Sequence, residues 1–491
     1  MITGILRGSV QSVAFQLLAR ALGFGAMLVT TRYLGPTGIG WANTAIVVFS
    51  FVYQFGDFGL SLYALQVSAK SLNSLWKRRV IIATVEWAAV NVVSFSARVL
   101  YPHYGFIEVP IFILSTTNMA TSLYFSREVL LKKRLKFARL NTLGLMESTV
   151  GSIAQIGLIV LWHMGYIAIV LGPSLGTLIK ACVYWTQKSD EPNDNSSENA
   201  ALNTSERDVT MGREFAMVKV VDYWAGNVDR WAIEIFSGID GLALYTMSSW
   251  LGRVIDVSLS QPIKQVLVPA YATMKDQRST ILDLSRMEFR WTTILTCLWA
   301  GLLLVVRDPA VMLFGAQWRN ADVPLQIIAI CGILAPFINI AGSNMLSLGK
   351  PRWVRVYTML RLSAIALGAW PLIKLWGVTG MAILDLVGEI GVVIPYILLR
   401  ARHLMDWYQI LKEGFVSMTV LALCVPLVRV VFGGAPNPLG RIATFIAIFA
   451  IAVGVAGHRT LMRDVKLILG QLMSSGRRGV LDTSVQDSGA P

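Results

Sequence analysis

Charged side chains inside apolar segments are the residues of this sequence that could do chemistry. Arg20 interrupts an apolar run over residues 9–32, and Asp57 lies deep in the next run, over 39–63. A charge in hydrocarbon costs about 2.5 to 3.5 kcal/mol on insertion scales, so such a residue normally faces a bundle interior or an aqueous cavity. The two charges predict a polar pathway.

Two later apolar runs, over 216–236 and 242–269, carry charges at helical spacing. The first presents polar residues on two neighbouring faces: Asp222, Asn227, Asp229, Arg230 and Glu234. The second presents a single stripe: Arg253, Asp256, Ser260 and Lys264. If these helices face the first two, they line a common cleft whose net charge is positive. Such a cleft suits an anionic substrate, because Arg and Lys bind phosphate.

The predicted site residues follow from charge. The expected diphosphate ligands are the cations Arg20, Arg230, Arg253 and Lys264. The expected cation-binding or gating residues, since embedded acids can carry a proton or sodium ion, are Asp57, Asp229, Asp256, Asp385 and Glu389.

Structural alternatives stay open for several of these residues. Arg253 with Asp256, and Arg230 with Glu234, could be paired charges on a helix face. Asp385 and Glu389, four residues apart, could form one cation site or reach separate partners. Arg32 lies at the end of its run, where snorkelling to the membrane interface is the default.

The elements that position these residues are membrane helices. The chain has 491 residues, is 55% hydrophobic and 15% charged, and has a mean hydropathy of +0.59. These values are too apolar for a soluble globular protein. Apolar runs of about 20 residues, enough to cross about 30 Å of hydrocarbon, recur along the chain, and about fourteen are predicted. The fold class is therefore an all-α polytopic membrane protein.

Charge patterning predicts orientation. The net charge of +14 comes from Lys and Arg in alternate short loops, as at 70–79, 127–139 and 350–355, rather than from one soluble face. No nucleic-acid partner is therefore expected. Since these loops follow even-numbered runs, the positive-inside rule puts both termini in the cytoplasm. The first run is read as a retained helix, because Arg20 interrupts it and no small-residue cleavage site follows.

An internal repeat predicts two lobes. The turn at residues 34–40 aligns with residues 237–243, and each lies between two long apolar helices. Six runs precede the second copy, so the repeat would be parallel, related by an axis along the membrane normal. A short Gly-containing turn could also recur by chance. The expected division is a first lobe at 1–186, a flexible cytoplasmic linker at 187–214, a second lobe at 215–400, two further helices at 401–458 and a cytoplasmic tail at 459–491.

Ordered motifs resemble the polysaccharide transporter family, the Wzx-type flippases of the multidrug/oligosaccharidyl-lipid/polysaccharide superfamily. They are Thr31-Arg32-Tyr33-Leu34-Gly35-Pro36, Phe55 to Leu60, Asn227-Val228-Asp229-Arg230, Val268-Pro269-Ala270-Tyr271, Leu313 to Trp318, and Ala341 to Arg352. Two residues in the second copy of the turn depart from the family pattern, since Ser237 and Asp240 replace a Leu and a small residue.

The resemblance implies an alternating-access flippase of the bacterial inner membrane. Its substrate would be an undecaprenyl-diphosphate-linked oligosaccharide, moved from the cytoplasmic to the periplasmic leaflet for a surface polysaccharide. The expected partners are this lipid-linked oligosaccharide, membrane lipids and polysaccharide polymerase machinery. A cation-coupled drug exporter on the same fold, and a membrane-embedded polymerase or glycosyltransferase, are the alternatives.

Catalysis, cofactors and metals are not expected. No Gly-rich loop ending in Lys-Ser/Thr is present to bind a nucleotide, and no Ser/His/Asp arrangement has supporting context. The cysteines Cys182, Cys297, Cys331 and Cys424 lie singly in apolar runs, which favours packing over a disulfide or a metal site.

Overall fold

The computed structural model describes residues 2–57, 71–100, 102–133, 137–186, 205–258, 278–306, 308–347, 350–400, 407–432, 438–455 and 462. All regular secondary structure in these segments is helical. A chain this apolar favours helices because each helix satisfies its own backbone hydrogen bonds, which lipid cannot do.

In the described part of residues 2–186, six helices form the first lobe, hereafter the N-lobe. They are α1 (Ile2–Tyr33), α2 (Pro36–Asp57), α3 (Ser71–Leu100), α4 (Glu108–Lys133), α5 (Phe137–Val160) and α6 (Ile167–Thr186), with a 3-10 turn at Pro102–Ile107. Within the lobe α5 packs against α1 and α6, and α4 packs against α3 and α6.

The second lobe, hereafter the C-lobe, contains two unusually long helices. Its helices are α7 (Ser205–Gly252), α8 (Arg278–Val305), α9 (Pro309–Phe314), α10 (Asp322–Ser347), α11 (Pro351–Gly388) and α12 (Ile394–Arg400). A 3-10 turn at Ala316–Ala321 follows α9, and a π-helical turn at Glu389–Val393 follows α11. Two further helices, α13 (Trp407–Phe432) and α14 (Pro438–Val455), pack against α8.

Each long helix is broken by a glycine. At 1.5 Å per residue, α7 and α11 would be about 72 and 57 Å long, well beyond the hydrocarbon thickness of about 30 Å. Gly238 in α7 has φ 76° and Gly377 in α11 has φ 56°, in the left-handed region that favours glycine. Each helix therefore runs as two arms, and Gly238 lies where the sequence predicts a boundary between two spans. The first arm of α7 begins inside the segment predicted to be a linker.

Nine helical segments of the described residues are long and apolar enough to cross a membrane. They do not include α1, α2 and α7, which are helices that carry several of the predicted site residues. The chain is a multi-pass membrane protein of all-α fold, as predicted; the number fourteen, the domain boundaries and the pseudo-symmetry of the two lobes stay predictions.

The two copies of the repeated turn meet in space. A Cβ built on Gly40, in the first copy, would lie 2.4 Å from Ile239 Cγ2, in the second. Only a glycine allows the backbones of α2 and α7 to approach this closely. A cluster of buried apolar residues surrounds this contact and joins Ile39 to Ala243, Met247 and Leu251. Contact between equivalent turns is compatible with the two-fold axis that the repeat predicts.

Candidate functional site

A cavity of about 690 Å³ lies between the lobes. Residues of α1, α2 and α6 line it from the N-lobe, and residues of both arms of α7 and of α11 line it from the C-lobe. The volume lies within the range of small-molecule sites, about 300 to 1,000 Å³. The helices predicted to line a cleft therefore do so, and α6 and α11 join them.

Four arginines reach this cavity. Arg20 comes from α1, Arg230 from the first arm of α7, Arg253 from the turn that ends the second arm, and Arg361 from α11. Among the described lining residues, Asp229 carries the only carboxylate. The cavity wall is therefore cationic, as the sequence predicts.

Two of the arginines are paired with buried acids. An Nη2 of Arg253 lies 3.1 Å from Glu389 Oε1 and 3.6 Å from Asp385 Oδ2, and Arg361 Nη2 lies 3.2 Å from Asp385 Oδ1. The carboxylate side chains are 2 to 4% exposed. Asp385 lies near the end of α11 and Glu389 opens the π turn, so they face the same side one turn apart. The guanidinium groups occupy the position that a bound cation would take beside these acids.

Tyr245 ties this network to the first arm of α7. Its hydroxyl oxygen lies 2.7 Å from Asp229 Oδ2 and 2.7 Å from Asp385 Oδ2. A phenol has one proton, so it donates to only one of the two carboxylates at a time. The side chain is 1% exposed. Tyr245 therefore holds both arms of α7 and the end of α11 in one arrangement.

Two of the arginines keep their charge available. Arg230 Nη1 donates to Asn227 Oδ1 at 3.1 Å and makes no ion pair among the described residues. Within the same part of the chain Arg20 makes neither an ion pair nor a side-chain hydrogen bond, and its side chain is exposed to the cavity. These two cations come from opposite lobes, so one anion in the cavity could contact both.

The alternative pairings considered for the cations are not formed. Arg253 turns to Glu389 and Asp385 instead of Asp256, whose Oδ1 accepts a hydrogen bond from Asn339 Nδ2 at 2.9 Å. Asp256 is buried and does not line the cavity. The described residues also contain no ion pair between Arg230 and Glu234.

Two predicted site residues lie outside the described side chains. Lys264 falls in the segment 259–277, and Asp57 is described only as the last backbone position of α2. The motifs that begin at Phe55 and at Val268 fall outside the described residues in the same way.

Sequence reasoning missed four residues of the site. Arg361 lies in an apolar run with no charged residue at helical spacing to mark it, and its partner Asp385 is 24 residues away. Tyr245 carried no signal, since a buried tyrosine in an apolar helix is ordinary. Asn43 of α2 lines the cavity with a buried Nδ2 that has no partner in the described structure, as does Thr246 Oγ1 of α7. An amide in the second apolar run was the available signal for Asn43.

Arg32 has a partner that the sequence did not reveal. It lies exposed near the end of α1, where snorkelling to the membrane interface stays a prediction. Its Nε donates to the Leu313 carbonyl oxygen at 3.1 Å, on the other lobe. This partner lies 281 positions away, so only the fold could place it.

A family model described as "Polysaccharide biosynthesis protein" matches residues 29–322. The chain belongs to this family. This polysaccharide biosynthesis protein is 26% identical over 133 residues to the teichuronic acid biosynthesis protein TuaB of Bacillus subtilis (strain 168), a match that spans 27% of the chain and 28% of that relative. The resemblance read from the motifs is thereby confirmed.

Solved structures share the fold of this polysaccharide biosynthesis protein. The lipid II flippase MurJ in an inward closed conformation matches with a TM-score of 0.71 over 92% of the chain and 100% of MurJ, at 10% identity. An inward-facing MATE family multidrug resistance transporter of the MOP superfamily matches with a TM-score of 0.62 over 81% of the chain and 98% of that transporter, at 12% identity. At such identities the likeness concerns the fold, which is that of two-lobed membrane transporters.

Proposed function

We propose that this protein is a flippase that moves undecaprenyl-diphosphate-linked oligosaccharide units across the inner membrane, from the cytoplasmic to the periplasmic leaflet. Transport would proceed by alternating access and would supply a surface polysaccharide. Both termini would be cytoplasmic, as the Lys and Arg pattern predicts. The products would pass to polysaccharide polymerase machinery.

The observation that carries this proposal is that two cations, Arg20 and Arg230, reach one cavity from opposite lobes and form no ion pair with any described residue. A diphosphate offers several oxygens, and arginine binds phosphate through two parallel hydrogen bonds. A diphosphate that contacts both arginines would therefore bridge the lobes. In this proposal Arg253 serves the site mainly through its position, because its charge is already neutralised by Glu389 and Asp385.

The remaining polar groups suit the sugar. Asn43 and Thr246 line the cavity from the two lobes, and Asn43 Nδ2 and Thr246 Oγ1 lie buried just behind its surface without a partner in the described residues. A sugar hydroxyl both donates and accepts, so it could satisfy either group. The polyprenyl chain would stay in lipid, which avoids moving the polar headgroup through hydrocarbon.

The membrane potential favours export of such an anion. With the cell interior negative, each negative charge moved outward gains about 2.3 kcal/mol per 100 mV. A diphosphate whose charge is not fully compensated would gain on the order of 4 to 5 kcal/mol at that potential. The proposal therefore needs no nucleotide, and the identity of any coupling ion is left open.

A cation-coupled drug exporter is the second candidate, on the strength of the fold shared with the MATE transporter and of the buried acids Asp385 and Glu389. Those acids are engaged by Arg253 and Arg361, and the cavity presents cationic groups. This arrangement favours an anionic cargo over the cationic drugs that an acidic cavity would hold.

The test uses the purified protein in liposomes that contain a lipid-linked oligosaccharide, with translocation followed by an impermeant sugar-modifying reagent. Arg20→Gln and Arg230→Gln should each weaken substrate binding about 10- to 150-fold, the equivalent of one charge-assisted hydrogen bond of about 1.5 to 3 kcal/mol. Arg20→Lys and Arg230→Lys should recover part of the loss, because the charge remains but the bidentate geometry does not.

The matched control is Arg98→Gln, which removes an exposed arginine paired with Glu108 on the outside of the N-lobe. It should translocate at the wild-type rate. Wild-type translocation by both cavity variants would contradict the proposed diphosphate site. Failure of the wild-type protein to translocate any lipid-linked oligosaccharide, together with drug efflux, would favour the exporter.

A further inference from the structure

The C-terminal end of α1 is hydrogen-bonded to the C-lobe. Gln317 Nε2 donates to the Thr31 carbonyl oxygen at 2.8 Å, and Trp318 Nε1 donates to the same oxygen at 3.0 Å. A longer bond of 3.4 Å joins Gln317 Nε2 to the Leu34 carbonyl oxygen. The last carbonyls of a helix have no partner within the helix. The C-lobe supplies the partners that the end of α1 lacks.

The N-lobe also donates hydrogen bonds to the C-lobe. Arg32 Nε donates to the Leu313 carbonyl oxygen at 3.1 Å, and its Nη2 donates to the Met312 carbonyl oxygen at 3.4 Å. These two carbonyls lie at the end of the short helix α9, Pro309–Phe314. Each lobe therefore uses side chains to complete a helix end of the other.

The Trp318 donor is fixed by packing on the C-lobe side. Trp318 is 0% exposed, and its ring packs edge-to-face on Phe314 at a centroid distance of 5.8 Å. Both belong to the apolar cluster that joins the lobes. The indole N–H is therefore fixed in direction by packing within the C-lobe, and it meets the N-lobe only while the two lobes stay together at this end.

An aromatic contact between the lobes lies between these bonds and Arg20. Phe24 of α1 stacks on Trp250 of α7 with ring centroids 5.3 Å apart, and Phe24 lies between Arg20 and Thr31 along α1. Twelve residues separate Arg20 from Arg32, which is about 18 Å along α1. The hydrogen bonds therefore lie about 18 Å from Arg20 along α1, where the apolar cluster also joins the two lobes.

We propose that Thr31, Arg32, Gln317 and Trp318 form a latch that holds the cavity closed toward the outside. Five hydrogen bonds of the latch cross between the lobes, so a rocking motion that opens this end breaks all of them together. The separated groups can then bond to water, which keeps the net value of each bond modest. The latch biases an equilibrium between two states without locking it.

The inference rests on the alternating access and the orientation of the proposed function, and it does not depend on the cargo. It also joins two of the sequence motifs, because Thr31-Arg32 and the segment from Leu313 to Trp318 contact each other.

The test measures the distance between the lobes without substrate. Spin labels are placed at the exposed positions Thr37 and Asn320, as Thr37→Cys and Asn320→Cys, in a protein whose four native cysteines are replaced by Ala or Ser. Distances are recorded by double electron–electron resonance in lipid nanodiscs. Because no substrate is added, failure of the proposed cargo would leave this result unchanged.

Arg32→Gln should raise the ratio of outward-open to closed protein about tenfold, because it removes charge-assisted bonds whose net value is about 1.5 kcal/mol or more. Gln317→Glu should act in the same direction, since a carboxylate cannot donate to the Thr31 carbonyl. Trp318→Phe keeps an aromatic side chain but removes the indole N–H and part of the buried ring volume, so it should shift the ratio in the same direction.

Arg429→Gln is the matched control. Arg429 is also an exposed arginine whose Nε donates to a helix-end carbonyl, that of Leu304 at 2.9 Å, but its bond joins α8 and α13, which pack against each other outside the contact between the N-lobe and the C-lobe. It should leave the distance distribution unchanged. Distributions for Arg32→Gln and Gln317→Glu that match the wild type would overturn the latch, and so would an equal shift in Arg429→Gln.

Discussion

The buried acid Asp385 provides the sharpest test of the ion network beside the cavity. Its carboxylate accepts a hydrogen bond from Tyr245 at 2.7 Å and one from Arg361 at 3.2 Å, and it lies 3.6 Å from Arg253. Asp385→Asn keeps the shape and an acceptor oxygen for Tyr245 but removes the charge. Two guanidinium groups then share Glu389 as their only buried counter-ion in the described structure.

The expected cost follows from the burial of these groups. Removal of one partner from a buried ion pair costs about 3 to 5 kcal/mol. The side chains of Arg253 and Arg361 are 21% and 27% exposed, so water in the cavity screens part of the stranded charge. We therefore expect the free energy of unfolding to fall by about 3 kcal/mol, the low end of that range.

A double-mutant cycle isolates the interaction. Arg361→Gln removes one of the stranded cations, so the double variant Asp385→Asn/Arg361→Gln should be more stable than the sum of the single effects predicts. Contacting charges typically show a coupling of about 0.5 to 3 kcal/mol, and we expect the upper half of that range.

The assay is equilibrium unfolding of the purified protein in mixed micelles, followed by the fluorescence of its 15 tryptophans. Glu108→Gln is the control, because it breaks the pair with Arg98, whose side chain is 59% exposed, and should cost less than about 1 kcal/mol. The reasoning is refuted if Asp385→Asn costs no more than this control, or if the cycle shows no coupling.

Two further variants test the contacts between the lobes. Gly40→Ala would place a Cβ 2.5 Å from the Ile239 carbonyl oxygen and should widen the distance between the spin labels at positions 37 and 320. Gly176→Ala is the control, because it crowds a contact within the N-lobe. It should lower stability without changing that distance. Tyr223→Phe removes the hydroxyl that donates to the Val47 carbonyl oxygen at 2.9 Å. Chemical unfolding should show that the free energy of unfolding falls by about 1 to 3 kcal/mol. Substrate affinity should stay unchanged, because this tyrosine does not line the cavity. No widening in the first case, or a weaker substrate affinity in the second, would contradict these assignments.

Local sequence was sufficient for the helices and for part of the site. A run of apolar residues has one stable form in lipid, since only a helix satisfies its own backbone groups, so the all-α membrane fold follows from composition. Charges at helical spacing share a face, and a charged face avoids lipid. Arg20, Asp229, Arg230 and Arg253 were therefore identified as cavity residues from spacing alone, and the structure has all four lining the cavity.

Only the tertiary structure decided which charges remain available. Whether Arg253 pairs with Asp256, three residues away, or with Glu389, 136 residues away, depends on how α11 and the π turn pack against α7. The same packing neutralises Arg361 and leaves Arg230 with an amide partner. The partners of Arg32 were likewise decided by the tertiary structure, because they lie on the other lobe. Helical periodicity specifies the direction of a side chain around its own axis, but the energy of a charge depends on the neighbours that another helix brings to it.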